Sequence, residues 1–251
     1  MLNQKRKFTI HPIPVLQDNI VWVWVHENNA VVVDPSIDEP IKDWLLERNL
    51  SLKAIFQTHH HEDHIGGTPG LKKSWPDVKI IASKKDIKRI PFQTLSVNNN
   101  DIFNCIGFKI KVLEIPGHTN NHIAFYILNE SNNYNILFSG DTLFGAGCGR
   151  LLEGTATEMF QSLRKLNSLP ENTKIYCAHE YTENNLKWAL SIKPNEIVIA
   201  KRLKIVSEKR NKGLPSLPST ISSERKTNLF LQAKNVKEFS ILRRHKDNWK
   251  C

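Results

Sequence analysis

Thr58–His64 reads T-H-H-H-E-D-H, and within it His59, His61, Asp63 and His64 form the pattern H-x-H-x-D-H. The apolar run Ala54–Phe56 leads into it and Gly66–Gly67 follow, as when a buried strand stops and the chain turns. Such a loop stands on a rigid support, where binding and catalytic groups concentrate. A solvated histidine-rich loop fits poorly, and a core gains nothing from adjacent polar rings that must each find a hydrogen-bond partner. A divalent metal ion accounts for them directly. Neutral imidazole and carboxylate are ligands that zinc, iron and manganese accept, and the stretch has no thiolate for a closed structural site. In extended chain His59 and His61 point the same way, because side chains alternate with a period of two. Asp63 and His64 lie beyond the bend, and two diverging ligand pairs suggest two metals. His60 and Glu62 alternate with these candidates and read as supporting residues.

The same arrangement recurs along the chain. Ile20–Val25 and Ala30–Val33 read as a hairpin, and Ile41, Trp44 and Leu45 give Glu39–Arg48 the pattern of an amphipathic helix. A helix is expected over parts of Gly70–Trp75, a strand over Val78–Ala82 and a turn at Asn98–Asp101. Phe108–Ile115 is a strand ending in Pro116-Gly117-His118-Thr119. Ile123–Leu128 and Asn135–Ser139 flank an Asn-rich loop, Asn129–Asn133, and the second ends in Gly140-Asp141-Thr142. Lys174–Ala178 then ends at His179. Strand ends in a layered α/β protein can gather on one edge, so His118, Asp141 and His179 are candidates to complete the ligand set. After residue 193 the pattern turns helical, over Pro194–Lys212 and Asn235–Asn248, joined by the Pro/Ser-rich Gly213–Ser223. The expected organisation is a catalytic unit over 1–172 and a mainly helical unit over 173–251, with strand 174–179 completing the sheet of the first.

A chain of 251 residues with 40% hydrophobic content can bury a sizeable core without staples. Its four cysteines, Cys105, Cys148, Cys177 and Cys251, show no C-x-x-C spacing and read as reduced thiols of a cytoplasmic protein. The basic start meets His11, Pro12 and Pro14 before any apolar leader can form, and Ile20–Val25 is too short to span a bilayer. Residues 1–200 carry 21 basic and 21 acidic side chains, whereas 201–251 carry 14 basic and 4 acidic, so the whole net charge of +10 lies in the last fifth. On charge alone that surplus suits nucleic acid, a membrane surface or a small anionic substrate. Lys201, Arg202, Lys204, Lys209, Arg210 and Lys212 read as a solvated helix face.

T-H-H-H-E-D-H, with G-H-T at Gly117–Thr119, G-D-T-L-F at Gly140–Phe144, G-C-G-R at Gly147–Arg150, H-E-Y-T at His179–Thr182 and R-R-H-K-D near the C-terminus, resembles glyoxalase II, the hydroxyacylglutathione hydrolase branch of the metallo-β-lactamase superfamily. The likeness implies an α/β fold, an αββα sandwich followed by a small helical domain. It implies two divalent metal ions, zinc before iron or manganese. His59, His61 and His118 would hold one, Asp63, His64 and His179 the other, with Asp141 bridging. It also implies that Arg150, Tyr181, Arg243 and Lys246 bind glutathione. Leu152 replaces a common aromatic hydroxyl, Leu229 and Gln232 break the run N-P-F-L-R, and Ile20 stands where D-N-Y is common.

Hydrolysis of a glutathione thioester such as S-D-lactoylglutathione suits these residues. Metal coordination lowers the pKa of water to about 7, and a hydroxide shared by two metals about 3.5–4 Å apart would attack the carbonyl. The leaving thiolate, with a pKa of about 8.5–9, needs no separate acid. Asp63 and Asp141 are the catalytic candidates, Asp63 also as acceptor of a hydrogen bond from that hydroxide. A nuclease is disfavoured because Phe230, Phe239 and Trp249 form no evident stacking platform in the basic tail. A one-iron sulfur dioxygenase would normally lack the C-terminal helices, and a non-catalytic binding module would not need seven ligands. The expected partner is a small glutathione thioester, not nucleic acid or a membrane, bound by a monomer.

Overall fold

The computed structural model of the chain describes residues 8–128 and 134–250. The Asn-rich loop Asn129–Asn133, the basic start before Phe8 and Cys251 lie outside the described residues.

One six-stranded sheet runs in chain order through β1 (Phe8–Val15), β2 (Asn19–His26), β3 (Asn29–Val33), β4 (Ser51–Phe56), β5 (Lys79–Ser83) and β6 (Leu95–Val97). The remaining strands are β7 (Ile102–Cys105), β8 (Phe108–Glu114), β9 (Ile123–Leu128), β10 (Ile136–Gly140), β11 (Leu143–Phe144), β12 (Gly147–Cys148), β13 (Lys174–Cys177) and β14 (Ser219–Thr220). A second six-stranded sheet has the order β14-β13-β10-β9-β8-β7, and β11 and β12 form a small hairpin of their own. Ile20, Trp22 and Trp24 of β2 pack between the sheets against Phe108, Ile110 and Val112 of β8 and Phe125 of β9. Val21 and Val23 point to the outer face, where α1 (Glu39–Glu47) and, beyond the short α2 (Glu62–Ile65), α3 (Thr68–Ser74) bury Ile41, Leu45 and Leu71. Strands covered on both faces are apolar at every position, which makes β2 an unbroken Val/Trp run.

On the outer face of the second sheet, Leu113, Ala124, Leu137 and Ile175 meet Met159, Leu163 and Leu166 of α4 (Ala156–Asn167), completing the αββα layers. The C-terminal helices are α5 (Thr182–Ile192), α6 (Ile197–Asn211), α7 (Ile221–Thr227), α8 (Leu229–Gln232) and α9 (Val236–Asn248). They share that core through Trp188, Ile199, Ile221, Phe230 and Phe239. Among the described residues, no helix is long and apolar enough to cross a membrane.

Several local expectations change. The sequence assigns no strand before Ile20, but Phe8–Val15 pairs along β2, with Pro12 opposite Trp22 and Pro14 opposite Ile20. An edge strand tolerates proline because one row of its N–H groups has no ladder to join. The mainly helical C-terminal stretch begins before residue 193, with α5, and α4 precedes it. The sequence assigns no helix at α4, whose start is a capping box in T-A-T-E: Thr155 Oγ1 accepts from the Glu158 N–H at 3.2 Å, and Glu158 Oε2 accepts from the Thr155 N–H at 2.7 Å. The Pro/Ser-rich connection contributes β14, which pairs antiparallel to β13. Arg202 is not on a solvated face: its Nη2 reaches Glu224 Oε1 at 2.6 Å. Arg210 Nη1 donates to the Leu214 carbonyl at 3.0 Å and lies 3.7 Å from Glu180. Arg202 turns inward because α7 presents the buried Glu224 carboxylate to that side of α6, whereas Arg210 stays partly exposed.

Candidate metal centre

Strand ends deliver the polar residues to one edge of the sandwich. β4 runs into His59 and His61, α2 carries Asp63 and His64, the chain beyond β8 turns through Pro116-Gly117 to His118, β10 stops before Asp141 and β13 stops shortly before His179. Gly140, at φ +48°, allows the close approach: a Cβ there would lie 2.3 Å from Thr58 Oγ1 and 2.8 Å from the His122 ring.

The seven candidate ligands come together. His59 Nε2 is 2.9 Å from His61 Nδ1, which is 3.1 Å from His118 Nε2. Opposite them, Asp63 Oδ2 lies 3.5 Å from His64 Nε2 and 3.4 Å from His179 Nε2. Asp141 stands between the groups, with Oδ1 3.5 Å from His64 Nε2, and Oδ2 3.4 Å from His179 Nε2 and 3.5 Å from His118 Nε2. Three sets, His59/His61/His118, His59/His64/Asp141 and Asp63/His64/His179, each offer ligand atoms within 4.8 Å of one another. A divalent ion fits this donor set. His64 Nε2 and Asp141 Oδ1 are buried without a hydrogen-bond partner among the described residues. Two ligands about 2.1 Å from one tetrahedral ion stand about 3.4 Å apart, close to the spacings around Asp141.

Neighbouring polar groups orient these side chains. His118 Nδ1 donates to the Arg150 carbonyl at 2.9 Å, and His179 Nδ1 lies 2.8 Å from Asp18 Oδ1. His64 Nδ1 faces Asp34 Oδ2 at 3.2 Å. Asp34 also accepts from the Thr58 N–H and hydroxyl, each at 2.8 Å. Asn19 Nδ2 donates to Asp63 Oδ2 at 3.0 Å. Contacts of this kind fix ring tautomer and aim.

Burial, reinforced by neighbouring imidazoles, drives the pKa of His59 well below the ordinary histidine value and that of His61 down to about 4. Their nitrogen lone pairs are therefore available at neutral pH. Burial also acts on His64, but the surrounding carboxylates, Asp141 first, overcome it and raise His64 well above the ordinary value. In return His64 and His179 hold Asp141 well below the carboxylate range despite burial. Asp63 is held low against burial by His64 and Asn19.

A cavity of about 580 Å³ opens on His118 and Asp141, walled by Phe144, Arg150, Tyr181, Lys246 and others. Tyr181 stacks flat on His179, with centroids 4.8 Å apart and planes 5° apart. Lys246 Nζ lies 4.5 Å above the Trp249 ring and 3.4 Å from the Asn184 carbonyl. The Arg150 side chain is 73% exposed, with Nε 4.0 Å from Asp247. Arg243, expected to bind substrate, is also held by protein groups. It lines the cavity but is only 5% exposed. Its Nη1 donates to the Cys148 carbonyl at 2.9 Å, and its Nε and Nη2 reach Asp247 Oδ1 at 3.0 and 2.8 Å. Its donors thus hold the loop that bears Arg150.

Leu152 lines the cavity and is 60% exposed, so an apolar surface stands where a hydroxyl is common. Asn228 is buried away from that lining, and its Nδ2 donates to the Gly147 carbonyl at 2.9 Å. Cys148 is buried, and burial pushes its thiol up to about 11, so it packs rather than reacts. His60 leans on Glu153 at 3.4 Å and Asp86 at 3.8 Å, which makes it a supporting residue.

Sequence reasoning missed Asp18, Asn19, Asp34 and His122. Asp34 and His122 sit, like the ligands, beside ends of apolar runs, and that one signal does not separate a ligand from the group that orients it.

Comparison with known proteins agrees with this architecture. Residues 13–179 match the metallo-beta-lactamase superfamily, and residues 180–249 match the hydroxyacylglutathione hydrolase C-terminus. A hydroxyacylglutathione hydrolase of Prochlorococcus marinus (strain NATL1A) is 68% identical over 251 residues, covering 100% of both chains. Among solved structures, a metallo-beta-lactamase from Staphylococcus aureus subsp. aureus COL superposes with a TM-score of 0.72 at 22% identity, covering 99% of this chain and 69% of its own, a likeness of fold. The protein TTHA1623, solved in a di-iron-bound form, has a TM-score of 0.53 at 27% identity and covers 68% of this chain and 91% of its own.

Proposed function

We propose that this chain, which belongs to the hydroxyacylglutathione hydrolases of the metallo-beta-lactamase superfamily, hydrolyses S-(2-hydroxyacyl)glutathione, with S-D-lactoylglutathione as the reference substrate, to glutathione and a 2-hydroxy acid. The observation that carries this reading is the junction of the His/Asp cluster with a cavity whose far wall comes from the C-terminal helices.

His59, His61 and His118 form one candidate ion site and Asp63, His64 and His179 the other, with Asp141 shared. Divalent ions bound there supply acidified water at neutral pH and positive charge for the carbonyl oxygen. Zinc, iron and manganese all suit nitrogen and carboxylate donors, and the di-iron form of TTHA1623 supports a two-ion site. Asp63, ionised at neutral pH, can accept a hydrogen bond from the attacking water, leaving a lone pair directed at the thioester. Arg150 and Lys246 sit on the cavity wall where glutathione carboxylates would be held, and Tyr181 offers its hydroxyl beside them. Arg243 acts one step back by fixing the Cys148 carbonyl. The thiolate leaves without a dedicated acid because, with a thiol pKa of about 8.5–9, it is stable enough as the anion to depart unprotonated. The reading carries with it a monomeric enzyme of a reducing cytoplasm, in keeping with the free Cys105, Cys148 and Cys177.

The test is loss of thioester absorbance of S-D-lactoylglutathione, with metal per chain measured on the same sample. Hydrolysis with about two ions per chain, lost on chelation and restored by metal, is the expected result. A fully loaded chain that leaves the thioester intact would overturn it.

A further inference from the structure

His122 follows His118 by four residues and takes no place among the candidate ligands, yet it touches two of them. Its Nε2 lies 3.1 Å from the Asp141 backbone nitrogen, which donates to it. Its ring stacks on His59, with centroids 4.7 Å apart and planes 22° apart. The ring is fully buried, and Gly140 is pressed against it so closely that a Cβ would come within 2.8 Å of two ring atoms.

An imidazole nitrogen that accepts from an amide carries no proton, so the ring proton must sit on Nδ1. Nδ1 is buried and has no hydrogen-bond partner among the described residues. An orphaned buried donor is unfavourable, and packing alone would be served better by an apolar side chain. What an apolar side chain lacks is the acceptor. The Asp141 amide lies in the turn after β10, where it has no strand partner, and His122 satisfies it. The main chain of His122 strengthens the placement, because its carbonyl accepts from the Ile115 N–H at 2.9 Å, while the Thr142 hydroxyl donates to the Ile115 carbonyl at 3.1 Å. Residues 115, 122 and 140–142 therefore form one rigid unit behind the shared carboxylate.

We infer that His122 is a positioning residue for the two-ion site: as the Nδ1-protonated tautomer it fixes the Asp141 backbone through Nε2 and sets the plane of the His59 ring by stacking. The inference rests on the proposed two-ion reading of the cluster. Because Asp141 faces both halves of the cluster, loosening it weakens retention of ions in both. His122→Leu fills the space without an acceptor. His122→Gln places an amide oxygen near the position of Nε2 and restores it.

The test measures zinc per chain and the rate of zinc release to a chelator, together with the absorption spectrum of the cobalt-substituted protein. Circular dichroism of the metal-free forms checks the fold. Loss of a ligand-orienting contact typically weakens metal affinity by about 10–100-fold. We expect His122→Leu to release zinc about that much faster with an altered cobalt spectrum, and His122→Gln to recover most of the difference. Unchanged release and spectrum in folded His122→Leu would overturn the inference, as would a folded His122→Gln that behaves like the leucine variant. Should the leucine variant not fold, ring-nitrogen NMR of the unmodified protein decides: a protonated Nε2 on His122 refutes the assignment and a protonated Nδ1 supports it. Failure of the unmodified protein to bind two ions would count against the two-ion reading, a separate outcome.

Discussion

Replacing Glu224 by alanine should cost this protein more stability than almost any change outside the metal cluster. Glu224 is fully buried in α7. Its Oε1 accepts from Arg202 Nη2 at 2.6 Å and from the Ser219 hydroxyl. Its Oε2 accepts from the Ala146 N–H at 2.7 Å and Asn228 Nδ2 at 3.1 Å. Ala146, at φ +53°, is at the tip of the β11–β12 hairpin that leads to Cys148 and Arg150. Alanine strips the largely buried Arg202 guanidinium of its counter-charge, leaving it only the Thr227 and Ser219 hydroxyls, and leaves the Ala146 amide without its acceptor. Removing one member of a buried ion pair costs about 3–5 kcal/mol. At about 2–4 °C per kcal/mol for a chain of this size, a loss of about 4 kcal/mol lowers Tm by about 8–16 °C. Urea unfolding followed by tryptophan fluorescence and circular dichroism measures it. The double variant Glu224→Leu/Arg202→Met should recover much of the loss, because no charge is then stranded. A loss below about 1 kcal/mol, the range of exposed ion pairs, would show that the pair is solvated and that the helices do not hold the hairpin in this way.

Other outcomes follow from the same geometry. Arg150→Ala removes an exposed cation at the cavity, so KM should rise about 2–5-fold with kcat nearly unchanged, as for contacts worth about 1 kcal/mol or less; a large fall in kcat would place Arg150 closer to the reacting atoms. Asp63→Asn, at retained metal content, should lower kcat by about 10²-fold or more if Asp63 directs the attacking water, and unchanged turnover would reject that role. In the metal-free chain the His61 pKa of about 4 lies below the ordinary histidine value of 6.5. The folded state then binds fewer protons than the unfolded state between these values, so the His61 contribution is fully present above pH 6.5 and is lost as pH falls toward 4. Urea midpoints of the metal-free chain and of His61→Asn should diverge as pH rises through that window; parallel curves would refute the depressed pKa.

The candidate ligands were legible because each is a polar residue set directly after an apolar run, a placement that propensity and burial alone do not favour. The inter-sheet strands were legible for a related reason, since Val/Trp runs covered on both faces have no polar alternation. β1 was obscured by its prolines, which are tolerated because, among the described residues, no further strand pairs beyond it. Arg202 read as one cation among six on α6, and only the position of Glu224 across the fold makes it an interior residue. Arg243 likewise keeps the right place in the sequence, but Asp247 and the Cys148 carbonyl engage its guanidinium.

What the sequence determines by itself is the kind of chemistry: the residue types at strand ends, their pairing across the bend at His61–Asp63, and the layered class of the fold. Only the tertiary structure decides which acids turn toward the histidines as orienting partners and which face the candidate ion sites. Asp18 and Asp34 are acids beside turns, much like Asp63 and Asp141, and no local pattern separates them. The separation comes from which strands lie side by side, because a side chain becomes a ligand or its support according to the atoms that other strands, distant in sequence, bring within about 3 Å of it.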